Sequence, residues 1–279
     1  MKIGITLGLL HPAAFEPVAV EADRLGFESL WFPEHLVFPM EMAGSPYPGA
    51  DHPPIPPETP LYDPFGMLCY LAAKTSSIRL GTNVFLLALR HPFVAARAIQ
   101  TLDHLSQGRA EVGIGAGWLR SEFEATGLDP RTRGARLDEA ITICRRLWTE
   151  ETIEHHGQFY EFDPVKFEPK PIQRPHPPLH VGGESDAALR RAARLGDGWL
   201  GLHHDPASVA EPIERLARFR REAGTEDRPF EIIVGGAIES REDLARWEDA
   251  GVTRIYARPW SRSREAVDGV RRFADLVLG

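Results

Sequence analysis

Short apolar strands alternate with helices along nearly all of the 279 residues, and this alternation restricts the fold more than any other feature. Ile3, Ile5 and Leu7 alternate with other residues at the start of the chain, which predicts a first strand. A helix over 15–25, ending at Gly26, follows it. The same strand and helix patterns along the rest of the chain predict eight strands in total, each followed by a helix. The strands fall at 2–7, 28–33, 78–87, within 108–118, and at 179–183, 198–202, 230–238 and 253–259.

Strands connected in this way by helices form a parallel sheet, and eight such units can close into a barrel. A doubly wound open sheet is the alternative architecture for the same pattern. The even number of units favours the barrel, and so does the length, because one such barrel typically needs ~250 residues. We therefore predict an α/β fold, a single (β/α)8 TIM barrel spanning 1–279, with loop insertions at its C-terminal face.

Two segments interrupt the alternation. Residues 36–63 are crowded with prolines and fit no regular element, which is typical of a lid or binding loop. Residues 151–178 are predicted to be an insertion, with a small hairpin over 152–162 that turns near Gly157 and a proline-rich connector after it.

Helical spacing of apolar residues predicts which helix faces pack on the barrel. The helix over 91–107 has one such stripe, formed by Val94, Ala98, Leu102 and Leu105. The helix over 133–148 has another, formed by Leu137, Ala140, Ile141, Cys144, Leu147 and Trp148.

Composition excludes several partners and compartments. The net charge of −8 disfavours a nucleic-acid partner, because nucleic-acid-binding domains usually carry a basic surface. The longest apolar run, 84–89, is too short to span a membrane, and the N-terminus lacks the features of a signal peptide. Cys69 and Cys144 are predicted to be core residues rather than a disulfide. We expect a cytoplasmic protein.

The predicted strand ends place few metal ligands or carboxylates on the reactive face of the barrel. The histidines are scattered, and the neighbours His203 and His204 would point in opposite directions on a strand, so no metal site is predicted. Glu34 and Glu184 are the obvious strand-end carboxylates, which fits poorly with glycoside hydrolysis. Neither a Gly-x-Ser-x-Gly motif nor a phosphate-binding P-loop is present.

Small residues end the fourth predicted strand. Gly115, Ala116 and Gly117 leave the backbone nearly bare, and Trp118 follows with a large flat side chain. This combination indicates a site for a planar ligand. Tight packing between a strand and a helix explains the glycines equally well.

A second candidate site joins the fifth predicted strand to its helix. Gly182, Gly183, Glu184 and Ser185 lie there, and the free N–H groups of the first helical turn favour an anion such as a phosphate. Ser185 also suits the role of helix N-cap, which is compatible with anion binding. The pair 235–236, two glycines at another strand end, is a competing phosphate site.

Several motifs in chain order resemble those of the bacterial-luciferase-like flavin and deazaflavin oxidoreductases. They are Trp31-Phe32-Pro33-Glu34-His35, Leu80-Gly81-Thr82-Asn83-Val84, Arg90-His91-Pro92, Thr101 to Arg109, Gly113 to Trp118, and Gly196-Asp197-Gly198-Trp199. The resemblance covers nearly the whole chain. It implies a β/α barrel, a homodimer, and a cofactor ring bound in the barrel mouth.

The same resemblance implies roles for particular residues. His35 would lie beside the cofactor ring, next to Glu34, which replaces an Asp of some deazaflavin members. The ring would rest on the strand end Thr82-Asn83-Val84, with a cis peptide bond between Asn83 and Val84. Glu184 and Ser185 would lie at the cofactor phosphate.

The resemblance also bears on the cofactor. Luciferases carry an Arg that contacts the FMN phosphate where this chain has Ala116, and Trp118 resembles the deazaflavin branch. We therefore expect coenzyme F420, with FMN as the alternative. The expected activity is hydride transfer to or from a small organic substrate, with His35 as proton carrier, Trp118 as a wall of the substrate space and 36–63 as lid. An FMN-dependent monooxygenase and a non-catalytic flavin-binding protein are the rival functions.

Overall fold

The computed structural model describes residues 1–47 and 55–279. Ten strands are present in these residues: β1 Lys2–Thr6, β2 Ser29–Phe32, β3 Arg79–Phe85, β4 Ala110–Ile114, β5 Ile153–His156, β6 Glu161–Val165, β7 Leu179–Gly182, β8 Gly198–His203, β9 Glu231–Gly235 and β10 Arg254–Ala257. The α-helices are α1 Phe15–Leu25, α2 Pro64–Ala72, α3 Pro92–Leu105, α4 Arg120–Ala125, α5 Arg133–Thr149, α6 Asp186–Leu195, α7 Ala210–Ala223, α8 Arg241–Asp249 and α9 Ala266–Val277.

Eight of the strands form a closed parallel barrel in the ring order β1, β2, β3, β4, β7, β8, β9, β10. The ring closes where β10 pairs with β1, with Ile255 opposite Ile3. The predicted (β/α)8 TIM barrel is therefore confirmed, and the open sheet is excluded. β5 and β6 form a separate antiparallel hairpin between α5 and β7.

The barrel interior is a packed core built around the Trp31 indole. Trp31 is fully buried, and its Nε1 donates a hydrogen bond to Ser29 Oγ at 2.9 Å. Two neighbouring strands present glycines to the indole. A Cβ at Gly81 would lie 2.6 Å from the ring, and one at Gly4 would lie 2.9 Å from Nε1. Positions 4 and 81 therefore accept only glycine.

Charged side chains close the end of the barrel where the strands begin. Glu111 lies 2.5 Å from His180 Nε2 and 3.2 Å from Arg254 Nη2, and all three residues are almost completely buried. Burial by itself would raise the pKa of the Glu111 carboxyl, but His180 and Arg254 hold that pKa well below its usual range. This ionic cluster separates the barrel core from solvent at the end opposite the candidate site.

Helix α3 packs through a face that only partly matches the predicted stripe. Ala95, Ile99 and Leu102 are fully buried, whereas Val94 is 63% exposed and Leu105 is 59% exposed. The prediction is confirmed for Leu102 and wrong for Val94 and Leu105, because this helix carries apolar residues on more than one face and periodicity alone cannot tell which of them meets the barrel.

The remaining packing predictions have mixed outcomes. The predicted stripe of α5, including Cys144, is entirely buried, as expected. Cys69 is only half-buried, so its prediction as a core residue was wrong. It lies on α2 and lines a surface groove of about 790 Å³ between α2, α3 and β6.

The insertions lie where the sequence predicts them, with adjusted bounds. The hairpin turn contains Gly157 as expected, but β6 continues to Val165, past the predicted end of the hairpin. Residues 36–47 and 55–63 contain neither helix nor strand, in agreement with a long irregular loop. The predicted loop also includes 48–54, which lie outside the described residues.

Candidate active site

The end of β3 forms the centre of the candidate site. The Asn83–Val84 peptide bond is cis, which confirms the prediction made from the family resemblance. The register between β3 and β4 shifts here, between Thr82 and Phe85. The Val84 side chain lies between two glycines of neighbouring strands, because a Cβ at Gly115 or Gly182 would come within 2.6 Å or 2.8 Å of its methyl groups.

The other glycines of the β4 motif also make room for atoms of the protein. A Cβ at Gly113 would lie 2.1 Å from the Thr82 carbonyl oxygen. Gly117 has φ +79° and would meet the Phe123 ring at 2.8 Å. The packing explanation therefore accounts for each glycine in this motif, while Ala116 between them stays half-buried at the surface of the site.

The two polar side chains at the end of β3 differ in whether they have an atom free to hydrogen-bond to a ligand. Thr82 is fully buried, and its hydroxyl donates to the Gly113 carbonyl at 2.7 Å. Asn83 donates through Nδ2 to Thr6 Oγ1 at 3.3 Å, but its Oδ1 is buried without a hydrogen-bond partner among the described residues. A buried acceptor without a donor costs ~1–3 kcal/mol, so this atom favours a ligand that donates a hydrogen bond.

His35 is held between a carboxylate and two aromatic rings. Its Nδ1 lies 2.9 Å from Glu122 Oε2, and the Glu122 side chain has no exposed surface. The imidazole meets the Trp118 ring nearly at right angles, with 5.6 Å between centroids, and the Phe38 ring at 4.6 Å. The structure thus brings the two predicted catalytic residues, His35 and Trp118, together.

Sequence reasoning missed Glu122. It lies on the short helix α4, 87 positions from its imidazole partner, and no spacing rule connects the two. One signal was available, since Glu122 is a carboxylate in the first turn of the helix that follows the β4 motif.

Glu34 turns away from the imidazole and toward the segment after β3. Its carboxylate accepts a hydrogen bond from the Leu86 N–H at 2.6 Å and forms an ion pair with Arg90. Burial raises the pKa of Glu34 to about 7, against the opposing effects of the Arg90 charge and the Leu86 N–H. Glu34 therefore anchors the backbone behind the site, and Arg90 is a second partner that the sequence did not reveal.

At the β7–α6 junction, Ser185 caps the helix and Glu184 bonds to the end of the neighbouring strand β8. Ser185 Oγ accepts a hydrogen bond from the Ala188 N–H at 3.3 Å, so the N-cap prediction is confirmed. The Glu184 carboxylate accepts from the Leu202 N–H at 2.7 Å, at the end of β8. Glu184 thus joins two adjacent strand ends, and Gly183, with φ +118°, makes the turn into the helix.

The competing glycine pair is a weaker anion site. The Gly236 N–H already donates to the Tyr256 carbonyl at 3.2 Å. A Cβ at Gly235 would meet the Tyr256 ring at 2.9 Å, and one at Gly236 would meet Trp247 at 2.6 Å. These glycines serve packing, and α8 begins only at Arg241.

Within 1–47 and 55–279, no three His, Cys, Asp or Glu side chains are grouped so that they could hold a metal ion. No helix in the same residues combines the length and apolarity needed to cross a membrane.

The fold and this face define a class of protein. A TIM barrel with a histidine paired to a buried carboxylate and aromatic rings at the C-terminal ends of its strands has the architecture of a barrel enzyme. The model of one family, described as luciferase-like monooxygenase, matches residues 6–275. The chain belongs to the luciferase-like monooxygenase family.

Similar proteins in this family use different cofactors according to their names. An FMNH2-dependent dimethylsulfone monooxygenase of Pseudomonas putida is 38% identical over 154 residues, which are 54% of this chain and 42% of that protein. An F420-dependent glucose-6-phosphate dehydrogenase of Kineococcus radiotolerans is 32% identical over 192 residues, 68% of this chain and 52% of that protein. The crystal structure of monooxygenase RslO1 from Streptomyces bottropensis aligns with TM-score 0.78 and 25% identity, covering 100% of this chain and 99% of RslO1.

Removal of Arg90 should make the free energy of unfolding depend on the charge of Glu34. We expect Arg90→Ala to lower the free energy of unfolding by about 3–5 kcal/mol at high pH, because it leaves a buried carboxylate without its cation. The loss should shrink at low pH, since protonation removes the unpaired charge. The pKa of Glu34 is already raised in the folded protein, and without Arg90 it rises further, so the deficit relative to wild type should grow as pH rises above about 7.

Urea unfolding between about pH 6 and about pH 8.5 measures this effect. In a Glu34→Gln background, Arg90→Ala should cause a deficit, measured relative to Glu34→Gln alone, that does not depend on pH. Arg131→Ala is the matched control, because that side chain is 81% exposed and its ion pair contributes little. A deficit of equal size at all pH values would show that Glu34 does not carry the effect.

Proposed function

We propose that this protein is an oxidoreductase that transfers hydride between coenzyme F420 and a small organic substrate. The observation that carries the proposal is the state of His35. Its Nδ1 is committed to Glu122, whereas its Nε2 has no hydrogen-bond partner within 1–47 and 55–279. A half-buried imidazole with one nitrogen fixed and one nitrogen available is suited to carrying a proton at the mouth of the barrel.

The residues at the mouth fit a planar cofactor ring. Val84 packs on the buried interior cluster of Trp31, Leu200 and Ile233 and offers the ring an apolar floor. Asn83 Oδ1, the buried acceptor without a donor, would take a hydrogen bond from a ring N–H. Thr82 would support this floor from below, and 115–117 with Trp118 would form one wall.

The phosphate of the cofactor would lie at the start of α6. Gly182 and Gly183 bring the backbone to the first turn of that helix, where Ser185 would add its hydroxyl. Glu184 would act indirectly, by tying this turn to the end of β8. Arg215 approaches the same turn, but its guanidinium is paired with Asp186 and Glu211.

This junction therefore offers neutral donors, and the β4 end contributes Ala116 rather than a cation. FMN ends in a phosphate monoester that carries about −1.5 to −2 charges near pH 7. The phosphate of coenzyme F420 is a diester with a single negative charge. The smaller charge suits a site of backbone N–H groups and one hydroxyl, so we favour coenzyme F420.

The residues around the mouth have different roles in the proposed reaction. The bound cofactor would supply the hydride acceptor or donor. His35 would give a proton to the substrate oxygen or take one from it through Nε2 as the hydride moves. Trp118 would bound the substrate space, and the loop 36–63 would close over it and exclude water.

An FMN-dependent monooxygenase is the alternative function. The relative from Pseudomonas putida favours it, because it is 38% identical and is named as FMNH2-dependent. The two functions differ in the cofactor bound, so a binding measurement separates them.

Cofactor binding is the first test of the proposal. We expect coenzyme F420 to bind more tightly than FMN in titrations followed by fluorescence. Ser185→Ala should weaken F420 binding about 3–10-fold, since one hydrogen bond contributes ~0.5–1.5 kcal/mol. Ser240→Ala is the matched control, because Ser240 caps α8 in the same way at a distance from β7. Tighter binding of FMN than of F420 would favour the monooxygenase instead.

The role of His35 is the second test. We expect His35→Ala to lower turnover roughly 100-fold or more, the usual scale of general acid–base catalysis, and to change cofactor affinity much less. His156→Ala serves as a control, because that imidazole is 61% exposed on the hairpin. Full turnover by His35→Ala with an active substrate would restrict this residue to a structural role.

We propose further that two copies of the chain associate through α3. Its outer face carries the exposed Val94 and Leu105 beside the groove between α2, α3 and β6, so a second copy would cover apolar surface here. Light scattering should show a dimer that Val94→Glu with Leu105→Glu converts to a folded monomer. Val20→Glu, at an exposed position of α1, should leave the dimer intact. A wild-type monomer at micromolar concentration would contradict the proposal.

We also propose a cytoplasmic location. Cys69 and Cys144 are both unpaired, as is usual for proteins of a reducing compartment.

A further inference from the structure

We infer that Glu122 is the positioning residue of the site, because one carboxylate fixes both the tautomer of His35 and the start of the loop 36–63. This inference deepens the proposed function and rests on it for the catalytic use of His35. The contacts themselves belong to the chain alone and can be measured without substrate or cofactor.

Both oxygens of Glu122 are occupied, each by a different part of the site. Oε2 lies 2.9 Å from His35 Nδ1. Oε1 accepts hydrogen bonds from the backbone N–H groups of Leu36 at 2.6 Å and Val37 at 3.3 Å. A buried carboxylate is expensive unless its acceptors are satisfied, and here three donors from one short segment satisfy them.

This arrangement determines which ring nitrogen of His35 carries the hydrogen. An ionised carboxylate can only accept hydrogen bonds, so Nδ1 must be the donor. In the neutral imidazole, Nε2 then keeps its lone pair and is the nitrogen that can receive a proton. The imidazole contacts the Trp118 and Phe38 rings, which limit its rotation and favour the Glu122 contact.

The second oxygen connects this pair to the loop. Leu36 is 46% exposed and Val37 is 39% exposed, so their side chains contribute little to holding the first loop residues in place. Their N–H groups are held instead by the carboxylate that orients the imidazole. A displacement of the loop base would therefore also disturb the proton-carrying group.

Glu122→Gln tests this inference with almost no change of shape. The amide oxygen can replace Oε1 and keep the Leu36 and Val37 N–H groups bonded. The amide NH2 then faces Nδ1 and donates to it, so Nδ1 becomes an acceptor and the hydrogen moves to Nε2. The same logic explains why an Asp-to-Asn change in a Ser-His-Asp triad yields the wrong tautomer and a large loss of rate.

The direct readout is 15N NMR of selectively labelled histidine in the full chain, without ligand. We expect the neutral imidazole of wild-type His35 to carry its hydrogen on Nδ1, and that of Glu122→Gln to carry it on Nε2. Hydrogen exchange of the Leu36 and Val37 amides should stay slow in both proteins, which shows that the loop base is intact. Glu124→Gln, an exposed position on the same helix, should change neither result.

A turnover measurement connects the inference to catalysis. With a substrate in hand, Glu122→Gln should lower kcat roughly 100-fold or more and leave cofactor affinity nearly unchanged. If His35→Ala retains full turnover while Glu122→Gln still moves the hydrogen, the proposed proton-carrying role of His35 fails and the positioning role of Glu122 stands.

Two results would overturn the positioning role itself. One is a wild-type His35 whose neutral form carries the hydrogen on Nε2, a measurement that does not depend on the folding of any variant. The other is a folded Glu122→Gln protein with the wild-type tautomer.

Discussion

The packing of one indole against bare backbone is the contact on which the rest of this barrel depends. Trp31 fills the interior only because Gly4 and Gly81 leave room for it. Val84 rests on the same interior cluster, and its side chain in turn requires the glycines of β4 and β7 beside it. The core, the β3 bulge and the floor of the candidate site are therefore layers of a single packed column, and a change in one layer is transmitted to the next.

Buried carboxylates have different roles at the two ends of this column. At the closed end, Glu111 is surrounded by His180 and Arg254 and contributes to the stability of the barrel. At the open end, Glu34 has a permanent cation, Arg90, whereas Glu122 has a titratable partner, His35. The first of these pairs anchors the backbone behind the site, and the second leaves an imidazole nitrogen available for chemistry.

Sequence reasoning was strong where neighbouring residues determine the outcome. The alternation of strands and helices predicted the barrel, and the family resemblance predicted the cis bond at Asn83–Val84. It was weaker where distant segments meet. The side of α3 that packs could not be read from a helix with two apolar faces, and the partner of His35 lies 87 positions away on a helix of six residues. The hydrogen bond of the Glu184 carboxylate to the end of β8 was not predicted, since strand register is not visible in the sequence.

The alternation of constrained and unconstrained positions after β4 has a consequence for how this family can diversify. Gly113, Gly115 and Gly117 cannot accept even one additional carbon, because the space next to each is filled by the protein itself. Ala116 stands between Gly115 and Gly117 and is half-buried at the mouth, so a longer side chain there is not confined in the same way. Substitution of Ala116 would reshape the pocket without disturbing these glycines, whereas Trp118 also contacts the His35 imidazole. New substrate preferences can therefore evolve on this barrel by side-chain replacement at fixed backbone, with no insertion or loop remodelling.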